Sequence, residues 1–84
     1  MQEQIQQLNQ YLEQMLDCVE GEDRDRFNRL NHKYNELYDR TFVEDSPASK
    51  QYDIMRNAIA WTLTMPEKAE ECLPKVKEFL RAQG

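Results

Sequence analysis

From Pro47 to Met65 two lines of apolar side chains run beside each other, and this doubling limits the possible folds more than any other feature of the chain. At about 100° per residue, Tyr52, Met55, Ile59 and Leu63 form one line. Ile54, Ala58, Trp61 and Met65 form the second, leaving Lys50, Asp53, Arg56, Asn57, Ala60 and Thr64 for the opposite side. A helix lying on a surface needs an apolar arc of about 100°, and one of about 200° implies neighbours on two sides. The stretch is therefore expected to be the central helix of a bundle, spanning about 47–64, with Trp61 largely buried against a neighbour.

The flanking segments supply those neighbours. Met1, Ile5, Leu8, Leu12, Met15 and Val19 recur at alternating four- and three-residue steps, the a/d spacing of a helix packed along a seam. The intervening glutamines have good helix propensity, and Glu13, Asp17 and Glu20 fall on the reverse side. The spacing predicts a helix over about 2–20. Phe27, Leu30, Tyr34, Leu37, Tyr38 and Thr41 repeat in the same manner and predict a second over about 24–42.

Gly21 stands where a left-handed residue would end the first helix, and Asp23 can cap the second through the amide of Asp25 or Arg26. A hairpin is expected. One continuous helix is the rival reading, because the two stripes are nearly in phase, but it would place Asp23 on the seam and a glycine in a helix interior.

Ser46 followed by Pro47 matches an N-cap with proline at the first helical position. Thr64-Met65-Pro66-Glu67 resembles a capping box, opening a last helix over about 66–82 with Ala69, Cys72, Leu73, Val76, Phe79 and Leu80 on its apolar face. Pro74 removes an amide that would bond to Glu70, so a kink, or a split into 66–72 and 74–82, is expected.

Two glycines and three prolines are too few for a chain of many short strands and tight turns. The class is all-α: a small antiparallel bundle of three long helices plus a short, Pro-kinked C-terminal helix, forming one domain over 1–84. A core of this size is marginal without a staple or a partner. The uncharged a/d seam of Ile5, Leu8, Leu12, Met15 and Val19 is therefore read either as the internal core or as the contact of a homodimer.

Chemistry is scarce. His32 is the single histidine, so no Ser-His-Asp, Cys-His or two-histidine metal set can be assembled within one chain. With glycine only at 21 and 84, no phosphate-cradling loop can be written. Glu44-Asp45 lies in a loop and Glu70-Glu71 points about 100° apart on a helix, so both pairs read as solvating charges. No catalytic residue, cofactor or metal site is expected, and the chain is not read as an enzyme. Cys18 and Cys72 are far apart and read as small apolar groups with reduced thiols. With no signal-peptide pattern and no apolar run near the ~20 residues of a membrane span, a cytoplasmic protein without membrane contact is expected.

Charge carries the remaining signal. Residues 1–23 hold −6 and residues 24–42 hold +2 within a chain of net charge −5. Arg26, Arg29, Lys33 and Arg40 fall within about 60° of one another on one flank of the second helix. They could pair with acids of the first helix, stay solvated, or recognise an acidic partner. The function expected is that of a small acidic regulator, inhibitor or adaptor that binds a protein through helical surfaces, with these four residues as the partner-binding set. The alternatives are a nucleic-acid-associated factor using the same basic stripe, or a non-catalytic accessory subunit. Nucleic acid is the weaker fit, because the chain is acidic and Tyr34 and Tyr38 lie on the core side.

Overall fold

A computed structural model describes residues 2–83. Four helices follow one another: α1 (Gln2–Glu20), α2 (Arg24–Thr41), α3 (Pro47–Thr64) and α4 (Ala69–Gln83), with a 3₁₀ turn at Pro66–Lys68 before the last. Among the described residues there is no strand, and the all-α bundle expected from the periodicity is the fold.

The hairpin between α1 and α2 closes in a way that the position of Gly21 does not reveal. Asp23 N–H donates to the Cys18 carbonyl at 2.8 Å, and Glu22 N–H donates to that of Val19 at 3.2 Å. These two bonds make a Schellman closure, which needs its left-handed residue immediately before Asp23. That residue is Glu22, with φ 56°, while Gly21 has an ordinary negative φ. Asp23 then caps α2, its carboxylate accepting from Arg26 N–H at 3.1 Å, as its place in the sequence suggests.

The closure has a measurable consequence. A Cβ at Gly21 would meet only the Asp17 carbonyl oxygen, at 3.4 Å. Gly21→Ala is expected to be neutral or to stabilise by up to about 1 kcal/mol in urea melts. Glu22→Gly is expected to gain about 1 kcal/mol by removing left-handed strain. A clear loss from Gly21→Ala would show that the left-handed residue is the glycine.

Ser46 and Pro47 start α3 as expected. Ser49 N–H donates to Ser46 Oγ at 3.1 Å and Ser46 N–H donates to Ser49 Oγ at 2.9 Å, a reciprocal box closed by serine instead of the usual Glu or Gln.

The start of α4 departs from expectation. Thr64 remains the last residue of α3, Met65 precedes the 3₁₀ turn, and no side chain caps that turn. The break falls at the non-helical Met65, the 3₁₀ turn runs directly into α4 at Ala69, and α4 continues through Pro74 without the expected split into 66–72 and 74–82. Pro74 and Glu70 are both exposed, so water can reach the carbonyl deprived of its amide. Val76 is fully buried behind the proline, and Leu73, Phe79 and Leu80 pack against the core, holding the helix across the missing bond.

The core is organised on α1. Leu8, Leu12 and Met15 are fully buried, and Ile5 and Val19 are half-buried at the two ends of the seam. Phe27, Leu30, Tyr34 and Leu37 close on it from α2, Tyr52 and Ile59 from α3, and Val76 from α4. The seam is thus used inside the chain, which removes it as the surface of a homodimer.

The second apolar line of α3 corrects the central-helix reading. Tyr52, Ile59 and Thr62 are buried, but Ile54 and Trp61 are 57% and 58% exposed and Met65 is 38% exposed. Only one side of α3 has neighbours. The reason is the number of helices: α1, α2 and α4 pack on the Tyr52–Ile59 side, and no further helix remains to cover the other.

Candidate functional site

Two surfaces stand out, on different helices and facing different ways. The first is the basic edge of α2. Phe27, Leu30, Tyr34 and Leu37 turn α2 inward, and helical geometry then holds Arg26, Arg29, Lys33 and Arg40 on one exposed flank. None of the four has a carboxylate within 4.0 Å among the described residues. The acids of α1 do not serve them. Glu20 instead meets Lys77 of α4 at 3.2 Å, so part of the acidic reverse face of α1 is directed towards α4.

The upper part of this edge borders the α1–α2 seam. The Cys18 thiol is buried there and pushed up by that burial, with the charges of Arg26 and, more weakly, Arg29 pulling the other way. Cys18 and Cys72 are both free thiols.

Arg24, two residues ahead of the stripe, has a separate task. Its guanidinium Nη2 donates to the Leu63 carbonyl at 3.0 Å, placing a cation at the C-terminal end of α3, where the helix dipole favours it. This clamp joins residues 39 positions apart and has no local signature in the sequence. It also places α3 beside the other flank of α2, near Asn28 and Asn31, away from the basic edge.

The second surface is the outward line of α3: Ile54, half-buried Ala58, Trp61 and Met65. Among the described residues Trp61 is the one exposed aromatic side chain. The tyrosines are committed to the fold. Tyr34 OH donates to the Tyr52 carbonyl at 2.8 Å, Tyr38 OH to the Ser49 carbonyl at 2.9 Å, and Tyr52 OH to Asn9 Oδ1 at 2.7 Å. Burial raises the ionisation of Tyr34 and Tyr52 above the ordinary phenol value, so both stay neutral donors at neutral pH. The sequence places all four tyrosines near apolar stripes; three of them close hydrogen bonds between or within the packed helices.

His32 pairs with Glu36 at 3.1 Å, with both side chains exposed. Among the described residues no three His, Cys, Asp or Glu side chains gather where a metal ion could be held, and no helix is long and apolar enough to cross a membrane.

No protein-family model, curated protein or solved structure matches the chain.

The chemistry they offer is recognition. Four exposed cations in line can meet an acidic segment, and an apolar line with an aromatic at its centre can be covered by another surface. The basic edge lacks exposed aromatics on which bases could stack, since Tyr34 is buried and Tyr38 half-buried.

Proposed function

We propose that the protein is a binding module without catalytic chemistry of its own, acting in the cytoplasm as a small regulator, inhibitor or adaptor of another protein. Its contact is the basic edge of α2, where Arg26, Arg29, Lys33 and Arg40 receive an acidic segment of the partner. One observation carries this reading: four exposed cations share a flank with no carboxylate in ion-pair range among the described residues, in a chain whose net charge is −5. Cations left unpaired in an acidic protein add nothing to the fold, and they steer an acidic partner towards one face.

The combined variant Arg26→Gln, Arg29→Gln, Lys33→Gln tests it. Stability is expected to stay within about 0.5 kcal/mol of the wild type, because exposed, unpaired charges contribute little to folding. Capture of the partner from the source cell, read by mass spectrometry, is expected to weaken about tenfold or more. Unchanged capture with clearly reduced stability would return the stripe to a role in folding. Recovery of nucleic acid that is lost steeply with rising salt would favour nucleic-acid binding instead.

A further inference from the structure

We infer that the cleft where all four helices converge binds a small organic cation, a primary ammonium carried on a short apolar body. The cleft lies at the end of the bundle that holds the α1–α2 turn, and it shares no residue with the basic edge.

Its apolar wall is drawn from separate parts of the fold. Val19 comes from α1, Leu63 from α3, Pro66 from the 3₁₀ turn, and Ala69 and Leu73 from α4. Val19, Leu63 and Leu73 also pack against the core, so this wall is fixed by the fold itself. The cleft has a volume of about 450 Å³, within the ~300–1,000 Å³ usual for small-molecule sites.

Three charged side chains line the same cleft, and two of them are already engaged. Glu20 meets Lys77 at 3.2 Å, and Arg24 donates to the Leu63 carbonyl at 3.0 Å. Glu22, the third, is exposed at the rim and has no ion-pair partner among the described residues. The hairpin closure sets its position: its own N–H donates to the Val19 carbonyl, and that of Asp23 to the Cys18 carbonyl. Thr62 is buried and its hydroxyl donates to the Ile59 carbonyl at 2.6 Å, so it has no proton left to offer an anion. One free carboxylate thus stands at the mouth of an apolar cleft, in a lining with two acids to one base. That charge selects a cation, and the apolar wall selects one with an alkyl or aryl body. A bare metal ion is a poor fit, because among the described residues no three His, Cys, Asp or Glu side chains gather to hold one.

Hexylamine, protonated at pH 7, is the probe, titrated to about 20 mM into the ¹⁵N-labelled whole chain and followed by amide chemical shifts. The expected result is saturable shifts at Val19, Glu22, Leu63, Ala69 and Leu73, half-complete at about 1–10 mM for a ligand this small. Hexanol and hexanoate carry a similar body without the charge or with the opposite one, and each should bind at least about threefold more weakly. Glu22→Gln removes the charge at an exposed position, and Glu22→Gly removes it while relieving the left-handed backbone. Both variants should stay folded and lose about three- to fivefold in affinity for hexylamine, with none lost for hexanol.

Shifts that rise without saturating, hexanol or hexanoate binding as tightly as hexylamine, or unchanged affinity in both Glu22 variants would each overturn the assignment. So would shifts centred on Ile54 and Trp61, which would mean that the amine only coats the exposed apolar line of α3.

Discussion

Leu12→Ala is expected to cost about 3–5 kcal/mol, and Trp61→Ala less than about 1 kcal/mol. The contrast reverses what residue size alone would suggest, and it follows from where the two side chains lie. Leu12 is fully buried midway along α1, where α2, α3 and α4 all reach it or its neighbours. Truncating it leaves a cavity that three helices would have to move to fill, and a well-packed core moves little. Trp61 is 58% exposed on the outer side of α3, so its removal uncovers little that water does not already touch. Urea melts of both variants are the check. A loss of about 3 kcal/mol or more at Trp61 would mean that the second line of α3 is covered within the chain.

Tyr52 carries the second large effect. Its ring is 3% exposed and meets Phe79 of α4 edge-on, with centroids 5.1 Å apart, and Phe42 at 5.9 Å. Its hydroxyl donates to Asn9 of α1, and its carbonyl accepts from Tyr34 of α2. One residue of α3 therefore touches every other helix. Tyr52→Ala is expected to cost about 3–5 kcal/mol, the range for deleting a large aromatic from a core. Tyr52→Phe keeps the ring and removes only the bond to Asn9, for about 1–2 kcal/mol. Equal losses from the two substitutions would mean that the hydroxyl, and not the ring, holds the helices together.

Local signals made most of the fold legible. Periodic apolar spacing marks α1 and α2, Asp23 and Ser46 supply real caps, and Pro47 opens α3 where its missing amide costs nothing. What could not be read locally depends on how separate segments meet. The apolar arc of α3 counts side chains but not neighbours, so Trp61 read as buried although no helix remains to cover it. The turn after α1 takes its left-handed residue from the geometry of two hydrogen bonds, which selects Glu22 over the adjacent glycine. Pro74 sits inside α4 because the residue deprived of a bond faces water and the residues beyond it are anchored.

The basic edge was partly legible for the same reason. Its alignment follows from helical spacing alone, whereas its lack of partners depends on where the acids of other segments are placed, as with Glu20, which meets Lys77, a residue 57 positions away. The bond from Tyr52 to Asn9, spanning 43 positions, was equally invisible.

The account of the core requires that the outer face of α3 be bare in the single chain. Acrylamide quenching of Trp61, in folded protein dilute enough to sediment at 10.1 kDa, measures this directly. A quenching constant more than about half that of the urea-unfolded chain is the expected result, in keeping with a ring 58% exposed. Blue-shifted emission that acrylamide barely quenches in that same monomer would contradict it, and would put Trp61 back inside the bundle.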